Sequence, residues 1–215
     1  MQDVLAANEN TAEENAKLFG NKRVFVINLM ASPGAGKTSF ILRTIAALRD
    51  TYSIAVIEGD LASKVDAEKI KAQGIPSIQI NTGGGCHLEA GMIRQAVDHL
   101  DLDEVDLLII ENVGNLVCPA DFTLGESARV LILSVPEGDD KPLKYPFIFK
   151  GSDILIVNKV DMLELTDFNM EHLEEVVVSL NPAVKIVPLS CRTGDGFDAW
   201  FLWIKERLVD NHSRM

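Results

Sequence analysis

Seven short apolar runs punctuate the chain at roughly regular intervals: VFVINLM (24–30), SIAVIEGD (53–60), SIQI (77–80), DLLIIENVG (106–114), ARVLILSV (128–135), SDILIVNKVD (152–161) and VKIVPLS (184–190). They are continuous rather than alternating, the pattern of strands covered on both faces. Between them lie amphipathic stretches: SFILRTIAALRD, about 62–73, a segment carrying Leu88, Met92, Ile93, Ala96, Val97 and Leu100 on one face, 167–180 and 195–209. Strands alternating with helices predict an α/β fold, a doubly wound, mainly parallel sheet with helices on both faces. Residues 2–19 are polar and helix-prone, with Val4, Leu5, Ala12, Ala16, Leu18 and Phe19 as scattered apolar points and Gly20 as a stop. The expected division is an N-terminal helical extension, 1–21, and one domain, 22–215.

Composition narrows the class. With 215 residues, 47% of them hydrophobic, the chain can bury one substantial core but hardly two. A net charge of −12 disfavours binding to nucleic acid or to an anionic membrane surface. No apolar run approaches the ~20 residues that span a bilayer, and no segment has the order of a signal peptide. Three cysteines without a signal predict free thiols in a reducing compartment, hence a cytoplasmic protein.

The first run leads into NLMASPGAGKTS (28–39). Against the phosphate-loop pattern G-x-x-x-x-G-K-[ST], Gly36, Lys37 and Thr38 fit, while Ala31 replaces the first glycine. Such a strand–turn–helix lets the loop Pro33–Ser39 turn its backbone N–H groups, those of Gly34, Ala35 and Gly36 in particular, onto phosphate at a helix N-terminus. Lys37 would neutralise β- and γ-oxygens, and the Thr38 hydroxyl would hold Mg²⁺. The fold class is therefore that of a P-loop NTPase.

NKVD (158–161) then names the base. At the carboxyl end of a parallel strand, Asp161 can accept two hydrogen bonds from guanine N1–H and its 2-amino group. Adenine would leave that carboxylate facing a lone pair, a mismatch worth about 10⁴-fold. Lys159 would lie along the base and Asn158 would brace the loop. Ser190, Cys191 and Arg192 form the companion loop, Cys191 through its backbone N–H. ENVG (111–114) supplies Glu111 for Mg²⁺ and Gly114 to sense the γ-phosphate, and EGD (58–60) brings Asp60 towards the same ion. These residues predict GTP and GDP as ligands with Mg²⁺. No glutamine follows Gly114 to orient water, so intrinsic turnover should be slow.

GGGCHLEA, IENVGNLVCPADFTLGE (110–126), VPEGDDKPLKYP (135–146) and NKVD together resemble the hydrogenase nickel-incorporation GTPases of the HypB family, over about 22–210. The resemblance implies a GTPase that dimerises in its GTP-bound state and delivers nickel with a HypA-type chaperone to the hydrogenase large-subunit precursor. It carries the metal ligands onto Cys86, His87 and Cys118. Three such donors leave tetrahedral Zn²⁺ or square-planar Ni²⁺ one short, to be completed by water or a second copy. Cys86–His87 is expected to start a helix whose N-terminus lowers the thiol pKa. The resemblance also implies an intersubunit salt bridge between Asp66 and Lys144, and docking of the HypA-type partner on the N-terminal helix. The N-terminal 22 residues hold neither cysteine nor histidine, so the nickel-storing N-terminal motifs of some relatives are not expected. Two other readings are a GTPase chaperone for another nickel enzyme such as urease, and a metal-storage or sensing module with nucleotide as allosteric ligand.

Overall fold

A computed structural model of the chain describes residues 2–60 and 64–213, and the side chains of these except 2, 3, 60, 64–67 and 212. In chain order the elements are α1 (Gln2–Lys22), β1 (Phe25–Ala31), α2 (Lys37–Leu48), β2 (Ile54–Asp60), α3 (Lys64–Lys71), β3 (Ser77–Asn81), α4 (Ala90–Val97), β4 (Leu107–Glu111), β5 (Ala128–Ser134), α5 (Lys141–Lys144), α6 (Pro146–Lys150), β6 (Ile154–Asn158), α7 (Met170–Leu180), β7 (Lys185–Pro188) and α8 (Phe197–Ser213). Among the described residues the strands form one sheet in the order β3-β2-β4-β1-β5-β6-β7. All its pairings are parallel, so "mainly parallel" sharpens to "entirely".

The apolar strands fill three packing layers. Alternate β1 residues Phe25, Ile27, Leu29 and Ala31 face α2 and α8, where Phe40, Ile45, Trp200 and Ile204 are buried. On the other face Val26, Ile57, Leu108 and Ile110 meet Phe19 of α1 and Ile93, Ala96 and Val97 of α4. Leu131, Leu133, Leu155 and Val157 meet Ile148, Phe149, Leu173 and Val177 beside them. Ala31 ends β1 fully buried in the first layer, which explains why the missing glycine of the phosphate loop is tolerated: its methyl packs into core rather than towards phosphate.

Two expectations need correction here. Gly20 does not stop α1, which runs on to Lys22; the reversal falls at Arg23, whose φ is 58°. The buried stripe of α1 is Asn8, Ala12, Asn15 and Phe19, while Val4 is exposed. The two asparagines tie α1 to the domain: Asn8 Nδ2 donates to the Thr123 carbonyl at 2.8 Å and its Oδ1 accepts Ala90 N–H at 2.8 Å. Asn15 Nδ2 donates to the carbonyls of Ala90 (2.9 Å) and Leu124 (3.0 Å). A side chain on Gly125 would meet the Ala12 carbonyl at 2.6 Å, so this approach requires glycine. The helix expected over 62–73 ends at Lys71, and its start at Ala62 lies outside the described residues.

Candidate functional site

The carboxyl ends of β1, β2, β4 and β6 open towards one end of the sheet, where an open parallel sheet places ligands. The loop from β1 to α2 turns through Gly34 (φ 76°) and Gly36 (φ 107°), and Gly36 caps α2, so N–H groups of its first turn face the opening. A cavity of about 400 Å³ is lined there by Pro33, Gly34, Gly36, Lys37, Thr38, Ser39, Glu58, Lys69, Glu111, Asn112 and Gly114, among others. Thr38 Oγ1 lies 3.3 Å from Glu111 Oε1. A hydroxyl and a carboxylate at that spacing suit a hard cation such as Mg²⁺.

Glu58 is a residue that sequence reasoning passed over. It is register partner to Glu111 across β2 and β4, and both carboxylates are nearly buried at the cavity wall. The EGD motif had pointed to Asp60; in a strand positions two apart share a face, and that was the available signal. Lys69 also lines the cavity, and nothing in the sequence marked it. The Asp60 and Asp66 side chains lie outside the described residues.

At the base end, side chains lock three loops together. Asn158 Nδ2 donates to the Ala35 carbonyl at 2.8 Å, while its Oδ1 accepts Lys159 N–H at 2.8 Å and Cys191 N–H at 3.0 Å. The Cys191 N–H assigned to the base is thus held by Asn158. Lys159 takes a left-handed backbone (φ 64°) and its Nζ donates to the Gly34 carbonyl at 2.8 Å. Ser190 Oγ donates to Asp161 Oδ1 at 2.6 Å, and Arg192 Nη1 stands 3.5 Å from Oδ2. The Ser190 bond, with lesser help from Arg192, holds the Asp161 carboxyl below its ordinary range, so it is an acceptor at any working pH. Burial pushes the Cys191 thiol up to about 11, leaving it neutral and unsuited to ligation.

The third constellation lies beyond the loop after β4, whose Asn112, Val113 and Gly114 line the cavity. The donor atoms of Cys86, His87 and Cys118 all fall within 4.8 Å of one another. The two sulfurs are 2.9 Å apart, and Cys86 Sγ is 3.5 Å from His87 Nδ1. The His87 ring stacks on Phe122 with centroids 3.9 Å apart. Cys86 is exposed and Cys118 half-buried, so the cluster opens outward, as a site completed from outside its own chain would. Cys86 and His87 do not begin α4, as expected, but precede it in the loop 82–89; α4 starts at Ala90 with Glu89 as cap, and Leu88 packs under Gly59 of β2. No helix N-terminus therefore acidifies Cys86. Its thiol is shifted upward, first by its hydrogen bond to Cys118, then by desolvation. Lys144 pairs with Asp140 of its own chain.

The phosphate loop and the carboxylate pair on this sheet, with the interlocked NKVD and SCR loops beside them, define a P-loop nucleotide-binding protein with a thiol–imidazole cluster attached. Residues 25–188 match the CobW/HypB/UreG nucleotide-binding domain. The chain is 48% identical to the hydrogenase maturation factor HypB of Azotobacter vinelandii, over 96% of this chain and 68% of that protein. It is 42% identical to the probable hydrogenase maturation factor HypB of Methanocaldococcus jannaschii, over 97% and 95% respectively. Its structure superposes on the crystal structure of HypB from Helicobacter pylori in complex with nickel with a TM-score of 0.89, at 39% identity, covering 95% of this chain and 96% of that one. The chain belongs to the HypB branch of this family.

Proposed function

We propose that the chain is a GTPase that hydrolyses GTP to GDP and phosphate, dimerises when GTP is bound, and carries nickel for insertion into [NiFe]-hydrogenase. The observation that carries the reading is the placement of Cys118 four residues beyond Gly114 on one loop, with Cys86 Sγ 2.9 Å from it. A metal cluster standing on the loop that lines the γ-phosphate end of a nucleotide cavity has a direct route to nucleotide control. The nickel in the Helicobacter pylori relative and the family's hydrogenase role support nickel as cargo.

Asp161 selects guanine, and Lys37 with the N–H groups of Gly34 to Thr38 stabilises the charge that develops on the β- and γ-phosphates as water attacks. Thr38 and Glu111, with Asp60 from the end of β2, would hold Mg²⁺, which neutralises phosphate charge when bound. Glu58, beside Glu111 in register, is placed to accept from the same hydration shell. Asn115 rather than glutamine follows Gly114, so the attacking water lacks a strong orienting group and turnover is slow. Cys86, His87 and Cys118 give three donors, and a second copy or water supplies the fourth. The HypA-type chaperone, the hydrogenase large-subunit precursor, the cytoplasm as compartment and an Asp66–Lys144 bridge between copies belong to the same reading; the bridge would exchange the Asp140 partner of Lys144 for one across the interface.

The test titrates Ni²⁺ and Zn²⁺ into wild type and Cys118→Ala, with GDP and with a nonhydrolysable GTP analogue, recording mass in each state. Cys118→Ala should lose more than about 100-fold in metal affinity, beyond the 10–100-fold typical of residues that merely support ligands, and should still bind GTP. Equal metal affinity in both proteins would overturn the metal assignment. Nickel transfer supported equally by GTP and the analogue would overturn a hydrolysis-driven cycle.

A further inference from the structure

The loop after β4, ENVGN, touches the metal cluster on both sides. Asn112 is 1% exposed, lines the nucleotide cavity, and accepts Leu88 N–H on its Oδ1 at 3.1 Å. The same oxygen accepts Val113 N–H at 2.9 Å, and Asn112 Nδ2 donates to Asn28 Oδ1 of β1 at 3.1 Å. Three residues on, Asn115 Nδ2 donates to the Cys86 carbonyl at 3.1 Å, while its Oδ1 accepts Val117 N–H at 2.9 Å. The two amides thus hold the peptide groups on either side of His87, one through the Cys86 carbonyl and one through the Leu88 N–H. Between them sits Gly114, where an added Cβ would stand 3.0 Å from Pro33 of the phosphate loop. Cys118 continues the same loop covalently.

Left to itself, the Cys86–His87 segment would be loose. It follows three consecutive glycines, two with positive φ, and no regular element spans the stretch between β3 and α4. Metal–thiolate bonds could draw so compliant a segment into place whatever the nucleotide, and affinity would then ignore the nucleotide state. Bonded to Asn112 and Asn115, the segment must take whatever spacing the ENVGN loop imposes. A change of that loop at Gly114 then moves both halves of the ligand set.

We infer that Asn112 and Asn115 are positioning residues that couple the γ-phosphate end of the nucleotide cavity to metal affinity, by tying the Cys86–His87 loop to the loop that bears Cys118. The inference rests on the metal-binding GTPase reading above, and it assigns the coupling to two amide side chains rather than to the ligands. By reciprocity the same amides set how far metal changes GTP affinity.

The primary variant is Asn115→Ala, because Asn115 is only half-buried and its loss spares the core. Asn115→Asp is its partner: it keeps an oxygen to cap Val117, removes the donor to Cys86 and adds a negative charge, whose uniform effect on metal affinity cancels in a ratio between nucleotide states. The readout is the ratio of Ni²⁺ affinities with a GTP analogue and with GDP, from chelator competition and from thiolate-to-nickel charge-transfer absorption. Wild type should show a ratio of about 5–150-fold, in either direction. Both variants should bring it at least threefold closer to one, with nucleotide affinity in metal-free protein unchanged. A ratio unchanged or widened in Asn115→Ala, or retained in Asn115→Asp, overturns the inference alone. Wild-type metal binding that does not depend on Cys118 overturns the metal reading and this inference with it.

Discussion

The NKVD and SCR loops and the thiol–imidazole cluster are built on opposite plans. At the base end, side chains already make the bonds that hold the loops in order: Asn158 joins Ala35, Lys159 and Cys191, and Ser190 holds Asp161. At the metal end the donors touch one another, sulfur to sulfur, and the segment bearing two of them hangs from Asn112 and Asn115 in an irregular loop. The first plan removes freedom before the ligand arrives, so recognition costs little reorganisation. The second leaves geometry to be set by what neighbouring loops do. If the proposed function holds, that division keeps nucleotide recognition fixed and leaves metal holding conditional.

The largest effect should come from breaking the preorganised end. In Asp161→Asn the amide presents a donor to the guanine 2-amino group, and GTP affinity should fall by about 10²–10⁴-fold. Xanthosine triphosphate carries a carbonyl at that position and should gain relative to GTP in a competition assay. Equal loss of both nucleotides, with a lowered melting temperature, would mean that Asp161 holds the loop through Ser190 rather than reading the base. Metal binding to nucleotide-free protein should be unaffected, because no base-end side chain bonds the Cys86–His87 segment.

How much of this could be read from the residues follows the same divide. The strands were legible because both sheet faces are apolar, and the base-end motifs because each sits where a strand ends. The identity of the metal donors came from the family resemblance, while their meeting in space depends on topology that spacing alone does not show. Part of what stayed hidden was polar and buried. Asn8 and Asn15 occupy the inner face of α1, so an apolar periodicity search saw only a weak stripe. Leu88 looked like the start of a helix face because it is apolar at the right spacing, yet it packs under Gly59 one residue before the Glu89 cap. Lys69 carries no local mark, since any exposed helix has lysines; only the fold turns it towards the cavity.

A pH titration sharpens the comparison with a smaller effect. The hydrogen bond to Cys118, then desolvation, raise the Cys86 thiol above its ordinary value of 9.0, so near neutrality Cys86 is protonated and metal must displace its proton. Metal affinity should therefore climb with pH, about tenfold per unit for each proton released, and flatten only above the raised thiol pKa. Asp161 shifts the other way and is ionised throughout that range. The preference for guanine over adenine should then stay flat from pH 6 to 9, as ratios of competition constants. A flat metal curve would mean that the thiols are already ionised in the free protein, and the contrast between the two ends would lose its electrostatic half.

The smallest expected change concerns what lies behind the metal end. Asn15 is fully buried, and its amide nitrogen serves the carbonyls of Ala90, which opens α4, and Leu124, which follows the Cys118 loop. Asn15→Ala removes the donor to both carbonyls and leaves that of Leu124 without it away from water, at about 1–3 kcal/mol, and each kcal/mol should lower the melting temperature by about 2–4 °C in a domain of this size. Asn15→Asp keeps the shape but replaces the donor with a buried charge, so its loss of stability should be larger. Guanine preference should not move in either, because no Asn15 contact reaches the base loops. If metal affinity falls while stability holds, α1 is a brace for the metal loops rather than for the fold. If stability falls and metal affinity, measured below the transition, does not, then Asn112 and Asn115 suffice to hold the Cys86–His87 segment, and the metal end is tethered from the nucleotide side only.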